Sequence, residues 1–196
     1  LLRLAQRRSL CYKHHKNEPK VMGPIVVVVD ESGSMNGEKI IAAKGIALTL
    51  AWLAQEQKRW VALVGFSGGE EGTRLAVPPN HKQQDKLLEW LEHFYSGGTT
   101  LDVPVHQLPF VYWPEFVANG LQRGKTDVVI ITDAIVNCPD EMRDRYLAWM
   151  KTEQVKTYGI IVGNSEPGDL AQLCARHWCI RDLSLDSPAV AEILSI

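Results

Sequence analysis

The stretch Ile25-Val26-Val27-Val28-Val29-Asp30-Glu31-Ser32-Gly33-Ser34 decides the fold of this chain. Five β-branched residues in a row, with no polar alternation, describe a strand buried on both faces, as in a parallel sheet. Residues 37–57 follow without a proline and are rich in Ala, Ile and Leu, which predicts a long helix packed against that sheet. The unit is strand, loop, helix.

Outward from it, the pattern repeats. Strands are predicted at Trp60–Phe66 and Asp127–Thr132, with a short edge-like one at Thr73–Val77, and further strands at Lys156–Val162 and Trp178–Leu183. Leu87, Leu88, Leu91, Phe94 and Tyr95 mark one helical face, and helices are predicted over 139–152, 167–175 and 187–196, the last opened by Ser187-Pro188. The fold class is α/β: a doubly wound, mostly parallel central sheet with helices on both faces and one short edge strand. Such sheets bind ligands outside the carboxyl ends of their strands.

Three segments placed at or near those ends carry hard oxygen donors. Asp30-Glu31-Ser32-Gly33-Ser34 offers a carboxylate and two hydroxyls at alternate positions, with Gly33 expected to supply the backbone freedom of a tight turn. Gly97-Gly98-Thr99-Thr100 brings a threonine hydroxyl behind two glycines, and Thr132-Asp133 ends the strand that starts at Asp127. Singly, these read as a turn, a helix cap and a capping aspartate. Jointly, two carboxylates and several hydroxyls in an apolar setting match Mg²⁺, with Mn²⁺ next.

Asp30-x-Ser32-x-Ser34, then Thr99, then Asp133, with Gly65-Phe66-Ser67 and Ile130-Ile131-Thr132-Asp133-Ala134 around them, resembles the metal-ion-dependent adhesion site of von Willebrand factor A domains. The likeness covers about residues 23–196. It implies that Ser32, Ser34 and Thr99 ligate the metal while Asp30 and Asp133 hold waters and orient the serines. Thr100 is the rival of Thr99. Glu31 departs mildly from the common pattern, and Glu31, Thr100 and Trp113, the last in an aromatic segment Pro109–Pro114, are expected to meet a partner. The lead-in Gly23-Pro24-Ile25-Val26-Val27 and the cysteine usage resemble the intracellular ViaA-like group, whose members partner MoxR-type AAA+ ATPases. The implied role is an adaptor that grips an Asp or Glu of a partner protein and catalyses nothing.

At 196 residues the chain fits one domain, and 45% hydrophobic with 22% charged residues excludes disorder. No apolar run approaches the roughly 20 residues that span a bilayer. Residues 1–22 are expected to form a basic helical linker from an upstream segment, and residues 23–196 the domain; the chain, which starts at Leu1, reads as a piece of a longer protein. Four cysteines, Cys11, Cys138, Cys174 and Cys179, are too few and too irregular for a disulfide framework, so they are read as reduced thiols of a cytoplasmic protein. Cys174, His177 and Cys179 lack the fourth, paired ligand that zinc needs. His14, His15, His81, His93 and His106 have no nucleophile partner in sequence, and Trp52, Trp60, Trp90 and Trp149 are assigned to packing. A metal-dependent phosphohydrolase is the enzyme alternative, and it lacks a second aspartate at Asp-x-Asp spacing. Nucleic-acid binding through the basic leader is disfavoured by the acidic remainder.

Overall fold

The computed structural model describes residues 22–69, 72–81, 83–133, 138–181 and 192–193. All of the expected basic linker except Met22, and most of the expected C-terminal helix, lie outside these residues. The strands are β1 (Ile25–Asp30), β2 (Val61–Phe66), β3 (Thr73–Val77), β4 (Thr126–Thr132), β5 (Val155–Val162) and β6 (Arg176–Ile180). They form one sheet in the order β3-β2-β1-β4-β5-β6, parallel throughout except for the antiparallel edge strand β3. Every residue of β1 is buried, as its unbroken β-branched run requires.

The helices are α1 (Glu38–Glu56), α2 (Gln84–Glu92), α3 (Trp113–Ala118), α4 (Asp140–Glu153) and the single turn α5 (Leu170–Leu173). Because side chains alternate along a strand, Ile25, Val27 and Val29 pack with Ala43, Ala47 and Leu50 of α1 on one face. Val26 and Val28 pack on the other with Tyr112, Phe116 and Trp149. The sheet is therefore covered on both faces, as predicted.

Three elements differ from expectation. Residues Asp102–Tyr112, predicted as no regular element, form a wide-turned π-type helical segment that runs straight into α3. The predicted helix over 167–175 shrinks to α5, one turn that leaves Cys174 extended. Trp52, assigned to packing, is 62% exposed on α1, while Trp60, Trp90 and Trp149 are buried as expected. Helix α1 has Ile, Leu and Ala nearly all round, so periodicity could not say which of its large residues would face outward.

Candidate metal centre

The order of the sheet places β1 between β2, reached on one side, and β4, reached on the other. That is the point of topological reversal, where the loops diverge and leave a crevice. Asp30, the last residue of β1, is fully buried there. Its Oδ1 accepts the Ser32 N–H at 2.9 Å and its Oδ2 accepts the Thr132 hydroxyl, on neighbouring β4, at 2.5 Å. Burial pushes the Asp30 carboxyl above the usual range, the hydrogen bonds from Thr132 and Ser32 oppose that rise, and the charge of Asp133 adds to it.

After Asp30 the chain makes one 3-10 turn, Gly33–Met35. This brings the Ser32 and Ser34 hydroxyls to 3.1 Å from each other, and Ser34 donates to Asp133 Oδ1 at 2.7 Å. Lys39, in the first turn of α1, donates to Asp133 Oδ2 at 2.5 Å and to the Ser34 carbonyl at 3.2 Å. Gly33 does not take the positive φ that its place in the turn suggested. Its contribution is a close backbone approach, since its N–H donates to the Gly97 carbonyl at 2.8 Å.

That bond fixes the second loop against the first. Ser32 bridges Gly97, the Ser96 N–H donates to the Glu31 carbonyl at 3.0 Å, and the Ser67 hydroxyl donates to the Gly98 carbonyl at 2.8 Å. A Cβ at Gly97 would stand 2.6 Å from Ser67 Oγ, so a side chain there would push Ser67 off its bond to Gly98. Thr99 emerges half-buried just beyond this junction, and Thr100 is exposed. Asp30, Ser32, Ser34 and Asp133 are joined by hydrogen bonds, whereas Thr99 lies two residues beyond the Gly97 junction.

Two residues expected to meet a partner do not face one. Glu31 is fully buried: Oε1 lies 3.1 Å from Lys44 Nζ and Oε2 lies 2.8 Å from His93 Nδ1. Lys44 also donates to the carbonyls of Trp90 and Leu91, at 2.9 and 3.0 Å, and to that of His93, which are the last carbonyls of α2 and its cap. A Cβ at Gly65 would stand 2.4 Å from Glu31 Oε1, so the glycine of Gly65-Phe66-Ser67 makes room for this carboxylate. Trp113 is 2% exposed, its ring edge-on to Trp149 with centroids 5.0 Å apart. The helical turn carried on from Asp102–Tyr112 rotates it into the core, so it packs and does not rim the crevice. The function of Lys39 and Lys44 was not read from the sequence. Their signal was the spacing of five and ten residues from Ser34 along a helix that begins at the loop.

Among the described residues no group of three or more His, Cys, Asp and Glu converges on a common point. A cation at the crevice would thus be held by two carboxylates and a set of hydroxyls. Those are the donors that hard, oxygen-seeking divalent ions take, and no thiol or imidazole is offered to a softer one. Both Asp30 oxygens already hold their own loop and β4, which fits a carboxylate acting through the serines. The Ser32 and Ser34 oxygens keep lone pairs free. The residues fit the group.

Known proteins place this geometry in a family. The family model described as von Willebrand factor type A domain matches residues 25–135. An uncharacterized protein of Methanocaldococcus jannaschii is 29% identical over 175 residues, covering 88% of this chain and 41% of that protein. Regulatory protein ViaA of Edwardsiella ictaluri is 33% identical over 95 residues, 48% of this chain and 19% of that protein. The chain therefore spans less than half the length of these curated relatives. Proximal thread matrix protein 1 of the mussel byssus superposes with a TM-score of 0.64 at 18% identity, covering 89% of this chain and 47% of that one. The same mussel protein with a zinc-occupied metal-ion-dependent adhesion site superposes at 0.57 and 16% identity, over 89% of this chain and 47% of that one. From the strand Ile25–Asp30 to the aspartate that closes β4, this chain belongs to the von Willebrand factor type A domain family and resembles its ViaA-like members.

Proposed function

We propose that this domain binds a partner protein through a divalent cation, Mg²⁺ or else Mn²⁺, held by Asp30, Ser32, Ser34, Thr99 and Asp133. The observation that carries the reading is the meeting of the Ser32 and Ser34 hydroxyls with Asp133, residues from opposite halves of the chain, beside the Asp30 carboxylate. When bound, the cation supplies an electrophilic centre that an Asp or Glu of the partner completes. The chain's own residues hold the hydroxyls in register: Asp30 fixes the Ser32 backbone, Asp133 orients Ser34, and the Gly97 junction delivers Thr99. Thr99 is preferred to its exposed neighbour because it is half-buried beside the crevice, and Thr100 is left as a rim contact for the partner.

The likeness to ViaA, a regulatory protein, supports an adaptor role without catalysis, and we extend it to a cytoplasmic partner of the MoxR-type AAA+ class. Among the described residues no helix is long and apolar enough to cross a membrane. The test is titration of Mg²⁺ and Mn²⁺ by calorimetry, followed by capture of a purified MoxR-type ATPase by the wild-type domain and by Ser32→Ala/Ser34→Ala. Binding of the cation and of the ATPase, both lost in the folded double variant, is the expected result. A double variant that still captures the ATPase would place the docking face elsewhere. Phosphoester turnover that disappears in Asp30→Ala would overturn the non-catalytic reading.

A further inference from the structure

Two lysines of α1 stand close to the crevice, and they differ. The Lys44 side chain is 8% exposed and is held by Glu31 and by carbonyls near the end of α2. The Lys39 side chain is 40% exposed and ends on Asp133 Oδ2, the oxygen that Ser34 leaves open. Lys39 is the second residue of α1, in the first turn, where the helix dipole disfavours a positive charge. What compensates there is the Asp133 carboxylate, together with the Ser34 carbonyl at 3.2 Å. The lysine stem passes Gly163, at the end of β5, where an added Cβ would come within 3.8 Å of Cε. Its path runs past a residue without a side chain and is partly exposed.

We propose that Lys39 is a tethered competitor of the divalent cation: its ammonium neutralises Asp133 in the metal-free domain, gives up that carboxylate when the cation arrives, and so sets the cation affinity. The inference rests on the metal reading of the crevice. One ammonium offsets one of the two carboxylates, and a dication entering the cluster meets a like charge already seated on Asp133 Oδ2. Lys39 can withdraw into solvent on its four-carbon stem, which a buried lysine cannot do. The domain thereby keeps its loops in place without metal and loads only when the free cation outcompetes its own side chain.

The experiment compares the wild-type domain with Lys39→Met, which keeps the stem and removes the charge, and Lys39→Arg, which keeps the charge. Mn²⁺ titration by calorimetry is expected to show Lys39→Met binding about tenfold or more tightly than the wild type, with Lys39→Arg much closer to it. In EDTA, Lys39→Met is expected to melt at a lower temperature than the wild type, with Lys39→Arg restoring it, because Asp133 then lacks its counter-charge. Equal Mn²⁺ affinity in all three proteins overturns the competitor role and leaves the metal reading standing. Weaker binding by Lys39→Met also overturns it, since the lysine would then be helping the cation. No Mn²⁺ binding by any of the three folded proteins overturns the inference and the metal reading together.

Discussion

Lys44 and Glu31 form a buried ion pair that ties the first loop to the end of α2, and hence to the segment carrying Thr99. Removing one partner leaves the other charged and unmatched in the interior. Lys44→Met is therefore expected to cost about 3–5 kcal/mol of stability, and Glu31→Gln/Lys44→Met to recover a good part of it. Urea denaturation of the two variants reads both; a loss in the single variant below about 1 kcal/mol would mean that the pair carries little. The thiols supply a second expectation at this scale. Burial pushes the Cys174 thiol up to about 12, and Cys138 is also raised by burial, whereas Cys179 is exposed on β6. Only the thiolate is alkylated, so iodoacetamide at about pH 8 is expected to label Cys179 and spare Cys174. Peptide mass spectrometry showing equal labelling would contradict the burial of Cys174. Glu31 was misread in the sequence because its partners lie 13 and 62 residues away, beyond any local pattern. Asp30, Ser32 and Ser34 were legible because their spacing is local.

Among the elements, β1, α1 and the short β3 were legible almost to the residue, as an unbroken β-branched run, a proline-free apolar stretch and a short edge-like segment. The helical segment Asp102–Tyr112 was not. Pro109 interrupts the usual hydrogen-bond ladder and the apolar residues surround the axis, so neither period nor breaker pattern announced a helix. Missing it left Trp113 in an imagined aromatic loop. Placed in α3, Trp113 packs against Trp149 of α4 and joins the two elements that cover one face of the sheet. Trp113→Ala is accordingly expected to cost about 3–5 kcal/mol in thermal or urea unfolding. It should leave the cation affinity of the surviving folded protein unchanged. A stable variant that had lost partner binding would return Trp113 to the docking face.

For the whole molecule, an ion that binds only the native state stabilises it by mass action. Millimolar Mg²⁺ or Mn²⁺ is expected to raise the melting temperature of the wild type, EDTA to reverse the rise, and Ser32→Ala/Ser34→Ala to abolish it while melting cooperatively. A metal-independent melting temperature in the wild type would remove the support for the cation. The central place of β1 bears on how the chain reaches this state. Val26 pairs with Ala62 on one side and, on the other, with Val128, roughly a hundred residues downstream. As the chain leaves the ribosome, β1, β2 and β3 can zip together early, but the other edge of β1 stays open until β4 emerges. An open valine-rich edge invites pairing with other chains, and closing so long a loop slows folding. Asp133 follows β4, so its carboxylate reaches Ser34 only once β4 has docked against β1. The cluster thus waits for the strand pairing that spans the longest stretch of chain, and capture of a cation by a nascent chain would report that β4 is already in place beside β1.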